Sequence, residues 1–221
     1  MLDRKIYCSW VGNNNLEMND NRKRGIESLQ NNSGAEVIVV TNETLNDFLV
    51  PEGPLHQGFQ YLSDVHKADY IRTYAMHFHG GGYTDIKPCN YSWLPYFDKL
   101  ENSYAFGMGA PEDEGPLSTP LSIRDQYGDK WPDMISFDMF IFKPRSEFTF
   151  RWYTDILSKL DFYLHRLIES PARASREAAD TFITQYPLEW GWNITTFHPL
   201  CVRYTDKILK DMPYPNRQDY R

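Results

Sequence analysis

Lys67-Ala-Asp-Tyr-Ile-Arg72 and, shortly after it, Gly80-Gly-Gly-Tyr-Thr-Asp85-Ile-Lys87 decide how this chain folds. Val65, Ala68, Ile71, Ala75 and Met76 recur at helical spacing, so residues 63–79 read as one long helix. The Gly80-Gly81-Gly82 run ends it, because glycine adopts backbone conformations that other residues resist. Residues 83–86 then read as a very short strand with Asp85 at its carboxyl end.

Working outward, residues 5–10 (KIYCSW) form a short buried strand that stops at Gly12-Asn13-Asn14-Asn15. A polar amphipathic helix over about 16–30 follows, then a strand over 36–41 (EVIVVT) and a short helix to Phe48. Alternating strands and helices predict an α/β fold with a mixed, mainly parallel sheet flanked by helices. Further strands are expected at 104–108 and 135–142, separated by a long loop over 110–133 that carries a Glu112-Asp113-Glu114 run. That acidic run reads as a solvated loop face. Ser146 caps a long helix to about Ile168, a second helix covers 171–184, and a short strand lies near 195–197.

The length of 221 residues suits one large domain. With 23 Lys+Arg against 30 Asp+Glu, the net charge of −7 argues against a general nucleic-acid binder. Aromatic residues reach 15%, enough for a filled core and for rings that stack on bases or sugars. Cys8, Cys89 and Cys201 lack zinc or disulfide spacing. No stretch is long and apolar enough to span a membrane and the N-terminus carries no secretory pattern, so a cytoplasmic protein is expected. The tail from Pro213 offers no clean structural end, so the chain is expected to be one domain of a longer protein.

Asp69 and Arg72 lie three apart and share a helix face, which in an arbitrary helix is most often a solvated ion pair. Here the strand end brings a second carboxylate, Asp85, to the same corner, where open α/β sheets gather ligands. Carboxylates accept hydroxyl protons or hold a metal, and guanidinium pairs with oxyanions, so the corner suits a phosphorylated sugar. Asp138 is a lone charge inside the apolar run Ile135-Ser-Phe-Asp-Met-Phe-Ile141, where burial without a role is costly. It and Glu189, beside the Trp190-Gly-Trp192 pair, are the candidate catalytic carboxylates. The two tryptophans serve either as a sugar platform or as core packing.

Asp-x-x-Arg on a helix followed by Gly-Gly-x-Tyr-x-Asp resembles the sugar-donor motif of GT-A glycosyltransferases, the nucleotide-diphospho-sugar transferase fold. The likeness points to the capsular-polysaccharide and mannosyl/galactosyltransferase group, with the glucosylating clostridial toxins beyond. Small glycosyltransferase domains of large algal (chlorella) viruses are similar. It spans roughly residues 5–198 and is strong over 69–85. The resemblance implies a nucleotide-binding half over about 1–90 and an acceptor-side half over about 91–221. It also implies a UDP-sugar donor, a glycan or glycoprotein acceptor, and transfer with retention. Trp10 takes the place of the ring that stacks on uracil, Asp69 and Arg72 that of the groups on sugar or ribose hydroxyls, and Asp85 that of the first acid of the Asp-x-Asp motif. Lys87 stands where the second acid, a metal ligand, is usual. Either Lys87 supplies the positive charge itself, or Asp85 and the diphosphate hold Mn²⁺ or Mg²⁺. His198, in Thr195-Thr-Phe-His-Pro, resembles a histidine returned to the metal or diphosphate; a buried core histidine is the alternative. If Lys87 marks a lost site, the chain is instead a non-catalytic nucleotide-sugar or glycan-binding module.

Overall fold

A computed structural model of the chain describes residues 2–13, 17–112, 126–127, 129–181 and 183–216. It is a mixed α/β structure whose six-stranded, mainly parallel sheet has the order β2-β1-β3-β5-β4-β6. The strands are β1 Lys5–Trp10, β2 Glu36–Thr41, β3 Gly81–Thr84, β4 Gly107–Pro111, β5 Ile135–Phe142 and β6 Ile208–Leu209. β1 runs parallel to β2 and β3, and β4 parallel to β6. Only β5 is antiparallel to its neighbours, β3 and β4. The helices are α1 Asp20–Asn32, α2 Leu45–Phe48, α3 Asp64–Phe78, α4 Leu94–Glu101, α5 Glu147–Glu169 and α6 Ile194–Arg203. No helix among the described residues is long and apolar enough to cross a membrane.

Strand side chains alternate between two cores, one on each face of the sheet. Tyr7, Phe140 and Phe142 face the core shared with α3, α5 and α6, while Ile6, Cys8, Met139 and Ile141 face the core with α1 and α4. The larger core is aromatic: Trp152 and Phe197 lie 4.7 Å apart at their centroids, and Phe142 and Phe148 4.8 Å apart. Each ring of this kind stabilises the fold by about 1.5–3 kcal/mol through burial alone.

Local signals set the helix starts. The side chains of Asn19, Ser63 and Ser146 cap α1, α3 and α5 by accepting from the amides of Arg22, His66 and Thr149. α3 is buried on almost every side, including Lys67, Asp69 and Arg72, because it lies between the sheet and α5. The glycine run does more than end that helix. Gly80 and Gly81 have φ of 67° and 83°, and a Cβ on Gly81 would lie 2.7 Å from the Lys5 carbonyl oxygen. β3 therefore begins at Gly81, inside the run, two residues earlier than the sequence reading places it.

Three expectations are corrected. Residues 171–184 are not a helix among those described. The buried Glu177 carboxylate accepts from the amides of Arg173 and Ala174 and from the Thr184 hydroxyl, so a side chain satisfies the groups a helix would pair. Residues 195–197 belong to α6 rather than to a strand, because Phe197 must reach the aromatic core from a helix face. The strand expected at 104–108 begins at Gly107 instead, after Tyr104 has turned out to solvent at 95% exposure. α4 and the two-residue β6 are additions, and most of the expected 110–133 loop lies outside the described residues.

Candidate functional site

Parallel strands deliver their carboxyl ends to one edge of the sheet, and a cavity of about 940 Å³ opens there. Trp10 ends β1, Thr41 ends β2, Asp85 follows β3 and Glu112 follows β4, and all four line the cavity. The antiparallel β5 contributes its opposite end, Ser136 to Asp138, to the same edge. The Asp85 amide donates to the Asp138 carbonyl at 3.0 Å, which fixes these two residues side by side.

The centre of the cavity is a row of alternating charges. Asp69 Oδ1 lies 3.1 Å from Arg72 Nη2, and the same nitrogen donates to Asp85 Oδ1 at 3.1 Å. Asp85 Oδ2 lies 3.7 Å from Lys87 Nζ, and Lys87 donates to Asp138 Oδ2. Ser136 closes the row by donating to Asp138 Oδ1 at 2.5 Å. The Asp69–Arg72 pair is not a solvated surface pair, since each side chain is only 6% exposed. Arg72 is also wedged between the Phe137 and Tyr83 rings, 4.3 and 4.9 Å from their centroids, and donates to the Phe137 carbonyl. A guanidinium so enclosed is a fixed feature of the site.

Burial pushes the Asp69 carboxyl up to about 7, with Arg72 opposing the shift and Asp85 adding to it. Two carboxylates share one guanidinium, and the more deeply buried of them is the harder to ionise.

Six sequence candidates, Trp10, Asp69, Arg72, Asp85, Lys87 and Asp138, line this one cavity, and His198 joins them. Glu189 does not: it lines a separate cleft on the far side of the 188–195 segment. Trp190 and Trp192 part company as well. Trp190 lines the main cavity with Arg176 5.1 Å above its ring, whereas Trp192 is buried and lines the second cleft.

Sequence reasoning missed Glu112. Instead of a solvated loop residue it is buried, with Oε2 3.3 Å from His198 Nε2, and both line the cavity. Its position at a strand's carboxyl end was the available signal. Arg22, which donates to the Ile86 carbonyl at 2.6 Å, and Asn42, which pairs with both backbone groups of Gly12, were missed too.

A divalent ion needs several oxygen or nitrogen ligands converging at short range. Asp85 turns one oxygen to Arg72 and the other to Lys87, and His198 faces Glu112. Among the described residues no three His, Cys, Asp or Glu side chains are grouped to hold a metal. The side chains as arranged do not fit a metal centre built on Asp85 and His198.

No protein-family model matches the chain, and no curated protein matches it. Among solved structures it is similar to one titled PaToxG Glycosyltransferase, with a TM-score of 0.43 and 12% identity. The match covers 76% of this chain and 65% of that one, so the chain spans slightly under two thirds of that structure's length. A likeness of this degree leaves the chemistry to be read from the side chains themselves.

Proposed function

We propose that the chain is a glycosyltransferase that moves a sugar from a nucleoside-diphosphate donor, a UDP-sugar, to a hydroxyl of a glycan acceptor. The observation that carries this reading is the charge row Asp69–Arg72–Asp85–Lys87–Asp138, with Asp69, Arg72 and Lys87 buried, beside Trp10 at the carboxyl edge of a mainly parallel sheet. A cavity of about 940 Å³ is at the upper end of the range for small-ligand sites, roughly 300–1,000 Å³, and has room for a nucleotide with a sugar attached.

In this reading Trp10 stacks on the uracil, and Asp69 and Arg72 meet donor hydroxyls. The bond between the anomeric carbon and the diphosphate oxygen breaks, and its electron pair leaves with UDP. Lys87 supplies the compensating charge as its ammonium turns from Asp138 to the phosphate oxygens, in place of Mn²⁺ or Mg²⁺. Fixed cations at developing charge contribute roughly 3–4 kcal/mol to such a step, by analogy with oxyanion donors. Asp138, freed of its lysine, is the carboxylate placed to take the proton of the acceptor hydroxyl as its oxygen bonds to the sugar. Retention of configuration is part of the proposal and is read from the anomer of the first product by NMR.

The deciding experiment is calorimetric titration of UDP with Mn²⁺ present and again with EDTA, followed by hydrolysis of a UDP-sugar panel. Equal binding in both buffers with turnover supports the lysine-based transferase. Binding only with Mn²⁺ restores the metal reading, and no binding in either buffer overturns the uridine donor. Binding with no turnover, even with acceptors supplied, identifies a nucleotide-sugar-binding module.

A further inference from the structure

The segment 188–195 is a wall with a cavity on each side. Trp190 and Ile194 face the main cavity, while Leu188, Glu189, Trp192 and Thr195 face a second cleft of about 390 Å³ against α5. That volume lies within the range of small-ligand clefts, about 300–1,000 Å³.

The chemistry of the cleft is specific. Phe162 stands 79% exposed, set edge to face against Tyr163 with centroids 4.9 Å apart, so a rigid flat apolar surface is offered to solvent. Beside it on the same helix is the Lys159 ammonium, and the 188–195 segment brings the exposed Glu189 carboxylate to the same cleft. Two of the three N–H groups of Lys159 are spent on the Trp192 carbonyl at 2.8 Å and the Thr195 hydroxyl at 2.7 Å. A single ammonium so engaged, beside Glu189, makes a poor phosphate site. Lys159, Glu189 and Ser158 make a poor lipid site. One flat apolar face with acceptors and donors for hydroxyl groups around it matches a sugar ring, which has an apolar face of C–H groups and a hydroxyl rim.

We propose that this cleft is a second carbohydrate-binding site, holding a sugar unit of a glycan away from the reacting hydroxyl. It rests on the transferase reading only in taking that glycan to be the acceptor; the sugar-binding chemistry stands without it. The wall also explains how the two sites communicate. Lys159 fixes the carbonyl of Trp192 and the side chain of Thr195, and Asn193 between them donates to the Asp69 carbonyl at 2.8 Å. A sugar on Lys159 and Glu189 therefore braces the segment that backs the charge row.

The test is a glycan array probed with the labelled full chain, followed by calorimetry of the best-bound glycan with the wild type, Phe162→Ala and Glu189→Gln. Phe162 is exposed, so its replacement leaves the fold intact. The expected result is glycan affinity lowered about tenfold in each variant, with UDP affinity unchanged. Equal glycan affinity in all three proteins overturns the cleft, as does a blank array from protein that binds UDP. Glycan binding lost in Phe162→Ala from protein that never binds UDP supports the cleft and sinks the donor reading instead.

Discussion

Lys87, three residues past β3, and Asp138 of β5 form an ion pair at the cavity, with side chains 4% and 16% exposed. The lysine is thus matched by an acid from β5, which runs antiparallel to both its neighbours. Removing one partner strands a charge, and such losses cost about 3–5 kcal/mol. Lys87→Met and Asp138→Leu should each lower the midpoint of denaturant unfolding sharply, while the double variant recovers most of the loss without regaining UDP affinity. Additive losses in the double variant would show that the two groups do not depend on each other.

Stability against pH carries two opposed contributions. Asp69 is raised in the fold to about 7 from 3.8, so the folded state holds the extra proton and stability falls as pH rises through that window. His66, held neutral by burial with a pKa near 3 against 6.5, does the reverse: stability falls as pH drops from 6.5 towards 3. Each slope reaches at most about 1.4 kcal/mol per pH unit, and between pH 4 and 6.5 they offset one another. Relative to wild type, Asp69→Asn should become more acid-labile across that range and His66→Asn less so, as measured by urea midpoints at half-unit steps. Parallel curves for all three proteins would refute the pairing.

Trp10 is half-buried at the cavity wall and also packs against the core shared with α1 and α4. Trp10→Ala should weaken UDP binding by about 1–3 kcal/mol, the usual worth of one stacked base. An unchanged dissociation constant removes Trp10 from the donor site.

Gly81 meets both a left-handed backbone and the Lys5 carbonyl, so Gly81→Ala should cost about 1–3 kcal/mol and loosen β3 from β1. Hydrogen exchange of the β3 amides that face β1 reports this, and unaltered protection would count against a strained start to β3.

Much of the charged corner was legible because its residues are close in sequence and sit on elements with strong local signals. Ser63 and the glycine run bracket α3, and β1, β2 and β5 stand out as apolar runs with the bounds the structure gives them. What escaped depended on tertiary partners. Glu112 looked like part of a surface acidic run until α6 brought His198 to within 3.3 Å. Residues 171–184 lost their helix to one buried carboxylate, Glu177, a competition that no periodicity records. Glu189 and Trp190 are adjacent in sequence, yet they face different cavities, since the wall between them is one segment thick.

The antiparallel β5 lies between β3 and β4, far from both in sequence. A nascent chain that has reached only Lys87 has an open β3 edge and a lysine awaiting its acid. Residues 1–87 should therefore not survive expression as a separate fragment. Truncation or circular permutation that parts β5 from β3 should yield insoluble product, however complete the charge row on either piece.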